Sequence, residues 1–276
     1  MMSVLVTGAN KGIGLAVVEA ILREQAQYRV ILGSRDSQRG ESAWESLLAL
    51  DQGWSDRLEV LELDVASDQS VTEAKAIIAA GSGDNSPALY GLVNNAGRGT
   101  GSTAEVLNVN VYGIRRMCEA FAPVMEPGGR IVNVTSASGP NFVARCDAQG
   151  QDFFRDADMT WDRLEQFMRE CGDSDSPYGL SKACANSYTM YLAKCYPQLV
   201  VNACTPGFID TDLGSDFLGG RTPAEAGMKT PADGARVIMS LLFDQPKGSG
   251  HYYGSDALRS PLDHYRAPGS PEYTDA

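Results

Sequence analysis

Val4-Leu5-Val6-Thr7-Gly8-Ala9-Asn10-Lys11-Gly12-Ile13-Gly14 runs an apolar, strand-like segment into a glycine-rich turn, and Leu15 to Leu22 continues with helical periodicity. Glycines in such a turn permit a tight bend, let backbone approach a pyrophosphate, and let the helix pack closely on its strand. The helix start offers free N–H groups and the positive end of its dipole to phosphate. A glycine cluster alone serves many strand-to-helix turns. One placed directly after the first strand points to a dinucleotide, with Gly8, Asn10, Lys11, Gly12, Ile13 and Gly14 as candidate contacts.

The same strand-then-helix rhythm extends outward through most of the chain. Apolar runs at 3–7, 29–34, 58–63, 89–94, 130–135, 199–204 and 250–253 are rich in Val, Ile and Leu, as parallel strands covered on both faces require. Helical patterns fall at 12–26, 39–50, 68–80, 103–125, 177–196 and 231–243. The alternation predicts an α/β class, Rossmann-type doubly wound parallel sheet of about seven strands. No linker or repeat divides the 276 residues, so a single domain over 1–259 is expected. Two regions break the rhythm. Residues 137–176 are polar, with one short helix expected near 160–170, and the proline-bearing tail 260–276 is expected to be extended or disordered.

Composition narrows the function. A formal charge of −12 repels nucleic acid and anionic lipid. No apolar run approaches the roughly 20 residues that span a bilayer. The N-terminus lacks a signal-type segment, so a cytoplasmic protein is expected. The six cysteines show no C-x-x-C pair and the histidines number two, so free thiols and no metal site are expected. An anionic cofactor therefore needs a local cationic patch. The second strand ends Leu32-Gly33-Ser34-Arg35, where an acidic residue would bind the ribose of NAD. Arg35 instead offers a fork of donors for a 2′-phosphate, and Lys11 lies on the same side, which favours NADP(H).

Tyr178 and Lys182, four residues apart, share one face of a predicted helix. An ammonium beside a phenol stabilises the phenolate, and a positioned phenol can protonate a carbonyl oxygen. Taken alone, such a pair is frequent by chance. It stands in series with Thr7 to Gly14; Asp64-Val65 after strand three; Asn94-Asn95-Ala96-Gly97 after strand four; Asn110 with Gly113; Asn133 to Gly139 holding Ser136; and Pro206-Gly207-Phe208-Ile209-Asp210-Thr211. In this order the residues resemble the short-chain dehydrogenase/reductase family over residues 3 to 255. The resemblance implies that Tyr178 is the general acid, that Lys182 lowers its pKa and holds the nicotinamide ribose, and that Ser136 positions the substrate oxygen, with Ser138 as its rival. It further implies that Asn110 holds a water for proton supply, that Asp64 and Val65 meet the adenine, and that Asn94, Asn95, Ala96 and Gly97 border the cofactor. The resemblance also implies that Ile209 and Thr211 embrace the nicotinamide carboxamide, with Pro206 and Gly207 of the same loop contacting the cofactor.

Between Ser136 and Tyr178 lie 41 residues. An insertion there, with the Asn10-Lys11 pair, resembles the carbonyl-reductase branch, whose extra helix covers a tetramer face, so a monomer acting on a small-molecule carbonyl is expected. Phe142, Phe153, Phe154, Met159 and Trp161, with Phe208, Leu213 and Phe217, are candidate pocket lining, though Trp161 and Phe167 suit a packed core equally. The short segment Arg98 to Ala104 is expected to leave one side of the cleft open. Competing functions are alcohol oxidation with NADP+ or NAD+, a non-catalytic NADP sensor of the same fold, and an interaction protein working through its acidic surface.

Overall fold

The computed structural model describes residues 1–81, 89–246 and 248–274. The first half alternates β1 (Met2–Val6), α1 (Gly12–Glu24), β2 (Tyr28–Ser34), α2 (Ser37–Leu48), β3 (Leu58–Glu62), α3 (Asp68–Gly81) and β4 (Leu89–Asn94). Next come α4 (Thr103–Leu107) and α5 (Gly113–Phe121), joined by one π-helical turn at Asn108–Tyr112, and β5 (Met125–Val134). The second half holds α6 (Ser138–Val143), α7 (Ala148–Arg155), α8 (Trp161–Glu170), α9 (Pro177–Cys195), β6 (Val200–Cys204), α10 (Asp212–Ser215), α11 (Pro231–Phe243), β7 (Tyr252–Tyr253) and β8 (Arg259–Ser260).

The sheet order is β3-β2-β1-β4-β5-β6-β7-β8. Pairings are parallel from β3 through β7, and β8 closes the edge antiparallel to β7. This is the expected doubly wound α/β sheet, with an eighth strand whose polar residues form no apolar run. Strand alternation splits the core into two layers. Leu5, Leu92 and Ile131 face α5 and α9, while Val4, Val6, Val93 and Val132 face α1 and α11. Strand order reverses between β1 and β4, and a crevice forms beyond their carboxyl ends, the position where such sheets take ligands.

The insertion differs from expectation. It carries three helices rather than one: α8 is the expected helix, α7 starts from an Asp147 cap, and α6 starts without a side-chain cap directly after Ser136. The Asp147 carboxylate accepts from Gly150 N at 2.8 Å to open α7, and Thr160 Oγ1 accepts from Arg163 N at 3.4 Å to open α8. Its aromatic residues pack inward. Phe154 meets Phe142, Phe153 and Phe167 edge-on or tilted, and Trp161 wedges against Tyr112 and Tyr188 with ring centroids 5.5 Å away in each case. Arg115 lies 4.2 Å over the Trp161 ring. The insertion thus covers the outer faces of α5 and α9.

After β8 the tail has no helix or strand, yet it is pinned. Arg266 is nearly buried; its Nε donates to Ser260 Oγ at 2.9 Å, its Nη1 to Ser270 O at 2.7 Å, and its Nη2 to the Asp256 carboxylate. Among the described residues no helix is long and apolar enough to cross a membrane.

Candidate active site

The crevice at the strand ends is a cleft of about 840 Å³. Its left wall is the glycine turn. Gly8 and Gly12 adopt φ of 61° and 57°, the left-handed region that favours glycine. A Cβ on Gly14 would lie 2.6 Å from both Asn95 Nδ2 and Gly8 O, so only glycine lets α1 seat this closely. Thr7 ties the turn to its neighbour. Its hydroxyl accepts from Asn95 N and Ala96 N, each at 3.0 Å, and donates to Val93 O at 3.2 Å. Asn95 Nδ2 returns bonds to Thr7 O and Gly8 O at 3.0 and 3.1 Å. The α1 N-terminus receives no side-chain cap and has no acidic residue in its first turn. Its N–H groups therefore remain available to an anion.

At the far end of the cleft stand Ser34, Arg35, Asp36 and Arg39, with Leu63, Asp64 and Val65 beside them. Ser34 is buried and donates to Asp36 O at 2.7 Å. Arg35 is exposed and, among the described residues, makes no ion pair. Arg39, absent from the sequence expectation, reaches the same space and lies 3.7 Å from Asp36. Lys11, expected beside Arg35, turns instead to Asp212 at the start of α10, bridging the two rims through an exposed ion pair.

The catalytic candidates converge on the floor. Tyr178 sits in the first turn of α9, and Lys182 one turn later is 4% exposed. Ser136, just beyond β5, lines the same floor beside the Tyr178 side chain. Ser138 N donates to Ser136 Oγ at 3.1 Å, and the two serine hydroxyls are 3.3 Å apart, so Ser138 supports Ser136 from the first turn of α6. Lys182 Nζ donates to Val134 O at 2.9 Å and lies 5.4 Å from the Tyr178 ring centre. Burial pushes the Tyr178 phenol up to about 12, with Ser136 opposing it. Burial also draws the Lys182 ammonium down to about 8. Desolvation, which favours the neutral form of each group, dominates both, and the expected lowering of the phenol by the ammonium is not among the causes acting on Tyr178.

Asn110 is fully buried within the π turn. Its Oδ1 accepts from Arg98 N at 2.8 Å, and its Nδ2 donates to Arg98 O and Ser181 Oγ, each at 2.9 Å. Asn94 also lies beneath the floor, donating to Asn133 Oδ1 at 2.8 Å. Neither residue lines the cleft, nor does Gly14, whereas the other expected positions do: Gly8, Asn10, Lys11, Gly12, Ile13, Arg35, Asp64, Val65, Asn95, Ala96, Gly97, Ser136, Tyr178, Lys182, Pro206, Gly207, Ile209 and Thr211.

A model of the short chain dehydrogenase family matches residues 2–148. The chain belongs to that family. Carbonyl reductase (NADPH) 3 of Rattus norvegicus is 34% identical over 265 residues, covering 86% of this chain and 90% of that protein. The (+)-neomenthol dehydrogenase of Arabidopsis thaliana is 31% identical over 293 residues, covering 90% and 94%. Salutaridine reductase from Papaver somniferum shares the fold with a TM-score of 0.76 at 24% identity, over 92% of this chain and 99% of that one. These relatives place the chain on the carbonyl-reductase-like branch of the short-chain dehydrogenases.

The roof of this dehydrogenase cleft is the segment after β6. Phe208, Leu213 and Phe217 line it, and the Phe217 ring lies 5.1 Å from that of Tyr178. A Cβ on Gly99 would sit 3.3 Å from both Leu213 and Phe217, so the side expected to be open is bridged by this segment. Phe142, Phe153, Phe154, Met159 and Trp161 do not line the cleft. They belong to the packed layer on α9, where burial of aromatic area outcompetes service as a pocket wall.

Proposed function

We propose that the protein reduces aldehyde or ketone carbonyls to alcohols with NADPH. The observation that carries the reading is the convergence of Ser136, Tyr178 and Lys182 on the floor of a cleft that also holds an uncapped helix N-terminus and the exposed Arg35. The residues present fit a dinucleotide phosphate. Glycines keep the turn clear where a Cβ on Gly12 would meet Thr211 Cγ2 at 3.1 Å, the α1 N–H groups face the pyrophosphate position, and Arg35 with Arg39 would receive a 2′-phosphate. Asp64 and Val65 would border the adenine, and Ile209 and Thr211 the carboxamide.

When bound, the reduced nicotinamide supplies a hydride. Ser136 Oγ donates to the carbonyl oxygen and fixes its place beside the phenol. Tyr178, protonated at neutral pH because burial holds its pKa at about 12, gives its proton to that oxygen, and C=O becomes CH–OH. Lys182 would hold the ribose and return a proton to the phenol. The Asn110 side chain is spent on Arg98 and Ser181, so its part in proton supply would run through its main chain.

The covering of α5 and α9 by the insertion supports a monomer, which light scattering would test. The six unpaired cysteines suit a reducing compartment such as the cytoplasm. The decisive assay is loss of NADPH absorbance with quinones, aromatic aldehydes and cyclic ketones. Silence across that panel despite tight NADPH binding would refute the reading.

A further inference from the structure

The helix break that carries Asn110 is held from outside by one side chain. In the π turn Asn108–Tyr112, Gly113 N donates to Asn108 O, five residues back instead of four. Such single turns are rare and interrupt the regular hydrogen-bond ladder of the helix. Helical side chains lean toward the N-terminus of their helix, so Arg116, near the start of α5, reaches back over the turn. Its Nη1 donates to Asn108 O at 3.2 Å and to Val65 O at 3.3 Å, and its Nε donates to the Asp68 carboxylate at 2.6 Å. Position 116 belongs to none of the ordered motifs, and the side chain lines no part of the cleft.

Two borders of the cleft are joined through these bonds. Val65 stands beside the adenine position and packs directly on the start of α5, where a Cβ on Gly113 would lie 3.0 Å from Val65 Cγ2 and 3.3 Å from Val65 O. On the other side the π turn carries Asn110, whose Nδ2 donates to Ser181 Oγ at 2.9 Å. Ser181 Oγ in turn donates to Tyr178 O at 2.8 Å. Arg116 therefore lies between the adenine border and the main chain of the residue that carries the phenol. Its bonds are unequal. The Asp68 side chain is 85% exposed, and a pair so open to water contributes little. Arg116 itself is 20% exposed, and a charged donor shielded from water makes its stronger bonds to the two carbonyls.

We infer that Arg116 is a positioning residue that locks the π turn to the β3–α3 turn, setting both the adenine border and the seat of Asn110, Ser181 and Tyr178. The part that concerns turnover rests on the carbonyl-reductase reading above; the part that concerns the adenine border needs only the dinucleotide site. Misplacing reacting groups by about 1 Å lowers a rate by up to about 10²-fold, so a residue outside the cleft can act on kcat.

The test uses three variants. Arg116→Met keeps much of the stem and removes every donor, Arg116→Lys keeps the charge without the fork, and Asp68→Ala removes the exposed partner and leaves both carbonyl bonds. NADPH Kd is read by fluorescence titration, which also counts binding sites, and hydrogen exchange follows residues 108–113 in the cofactor-free protein. Turnover is expressed per titrated site. In Arg116→Met, Kd is expected to rise about three- to tenfold and kcat per site to fall about tenfold, with KM for the carbonyl substrate unchanged and exchange at 108–113 faster. Arg116→Lys is expected to lie between Arg116→Met and the native protein, and it reads the same quantities should Arg116→Met fold poorly. Asp68→Ala is expected to stay within about twofold of the native protein throughout. A merely structural role would reduce the number of binding sites and leave Kd and kcat per site unchanged, and that result overturns the inference. Impairment of Asp68→Ala equal to that of Arg116→Met also overturns it, because the effect would then belong to the ion pair. A native protein that binds NADPH and reduces no carbonyl refutes the reading of the reaction, and Kd and exchange then decide the role of Arg116.

Discussion

Replacing Lys182 by Met should stabilise this protein at neutral pH and erase a pH dependence that the native chain carries. Lys182 is 4% exposed, and burial draws its pKa from 10.5 to about 8. Each unit corresponds to about 1.4 kcal/mol, so the charged folded form carries a penalty of roughly 3 kcal/mol relative to the unfolded chain at about pH 7. Between about pH 8 and 10.5 the unfolded lysine holds a proton that the folded one has lost. Stability from this group therefore rises with pH across that window. By about pH 9.5 the remaining penalty is about 1.4 kcal/mol, because only one unit still separates the solution from the unfolded pKa. Buried thiols away from Lys182, such as Cys118, held at about 12, act in the opposite direction above their ordinary value. They are common to both proteins and cancel in the comparison, while loss of the bond to Val134 O adds a nearly constant offset. The difference in unfolding free energy between Lys182→Met and the native protein should shrink by about 2 kcal/mol from about pH 7 to 9.5. Urea titrations at several pH values measure it. A difference that stays flat across the window would mean that Lys182 keeps an ordinary pKa, and the desolvation argument would fail.

Other outcomes follow from the same geometry. Tyr178→Phe should lower kcat by about 10²-fold or more while leaving NADPH binding by fluorescence titration nearly intact; undiminished turnover would remove the phenol from the reaction. In the native protein, kcat/KM for reduction should decline as pH rises through about 8, where Lys182 loses its proton, and not first near 12, where Tyr178 would. Arg35→Ala should raise KM for NADPH about 10- to 100-fold, the loss expected for bonds to a charged phosphate, with little change for NADH; equal losses would place Arg35 away from the 2′-phosphate. Trp161→Ala should cost about 3–5 kcal/mol in denaturant unfolding and leave substrate KM unchanged, since the ring packs on Tyr112 and Tyr188 and not in the cleft.

Much of the fold was legible because parallel strands buried on both faces appear as continuous apolar runs, and all seven longer runs became strands. β8 escaped because Arg259 and Ser260 are polar and lack the apolar run that marks Tyr252–Tyr253, and its place is held by Arg266 further along the chain, which bonds Ser260 and Asp256. The insertion was misjudged for a related reason. Its α7 and α8 start from Asp147 and Thr160 caps, and their apolar residues are spread over several short segments that make sense only against α9. Within the cleft, the ordered motifs located the cleft-lining positions, yet could not distinguish a residue facing the cleft from one beneath it. Asn94 and Asn110 are both buried: Asn110 is satisfied by Arg98 and Ser181, whereas Asn94 bonds Asn133 through Nδ2 and its Oδ1 has no partner among the described residues. Lys11 lines the cleft with Arg35 as expected, but its pairing with Asp212, 201 residues away, could not be read from the sequence. Arg39 was overlooked because its proximity to Arg35 depends on where Asp36 caps α2.

The two corrections bear on specificity in the same direction. If the insertion had walled the pocket, its phenylalanines would have made an apolar enclosure on both sides of the carbonyl. They are instead consumed in covering α9, so the wall beyond Ser136 falls to the returning tail, through Tyr265, Arg266 and Pro268. The apolar side comes from Leu213 and Phe217 on the segment after β6, which the exposed Lys11–Asp212 pair ties to the glycine turn. Exposed pairs of this kind contribute at most about 1 kcal/mol and weaken with salt, so this rim opens readily, whereas the tail is held by the near-buried Arg266–Asp256 pair and stays in place. The cleft thus lies between a roof tied to the glycine turn by an exposed ion pair and a wall held by a near-buried one.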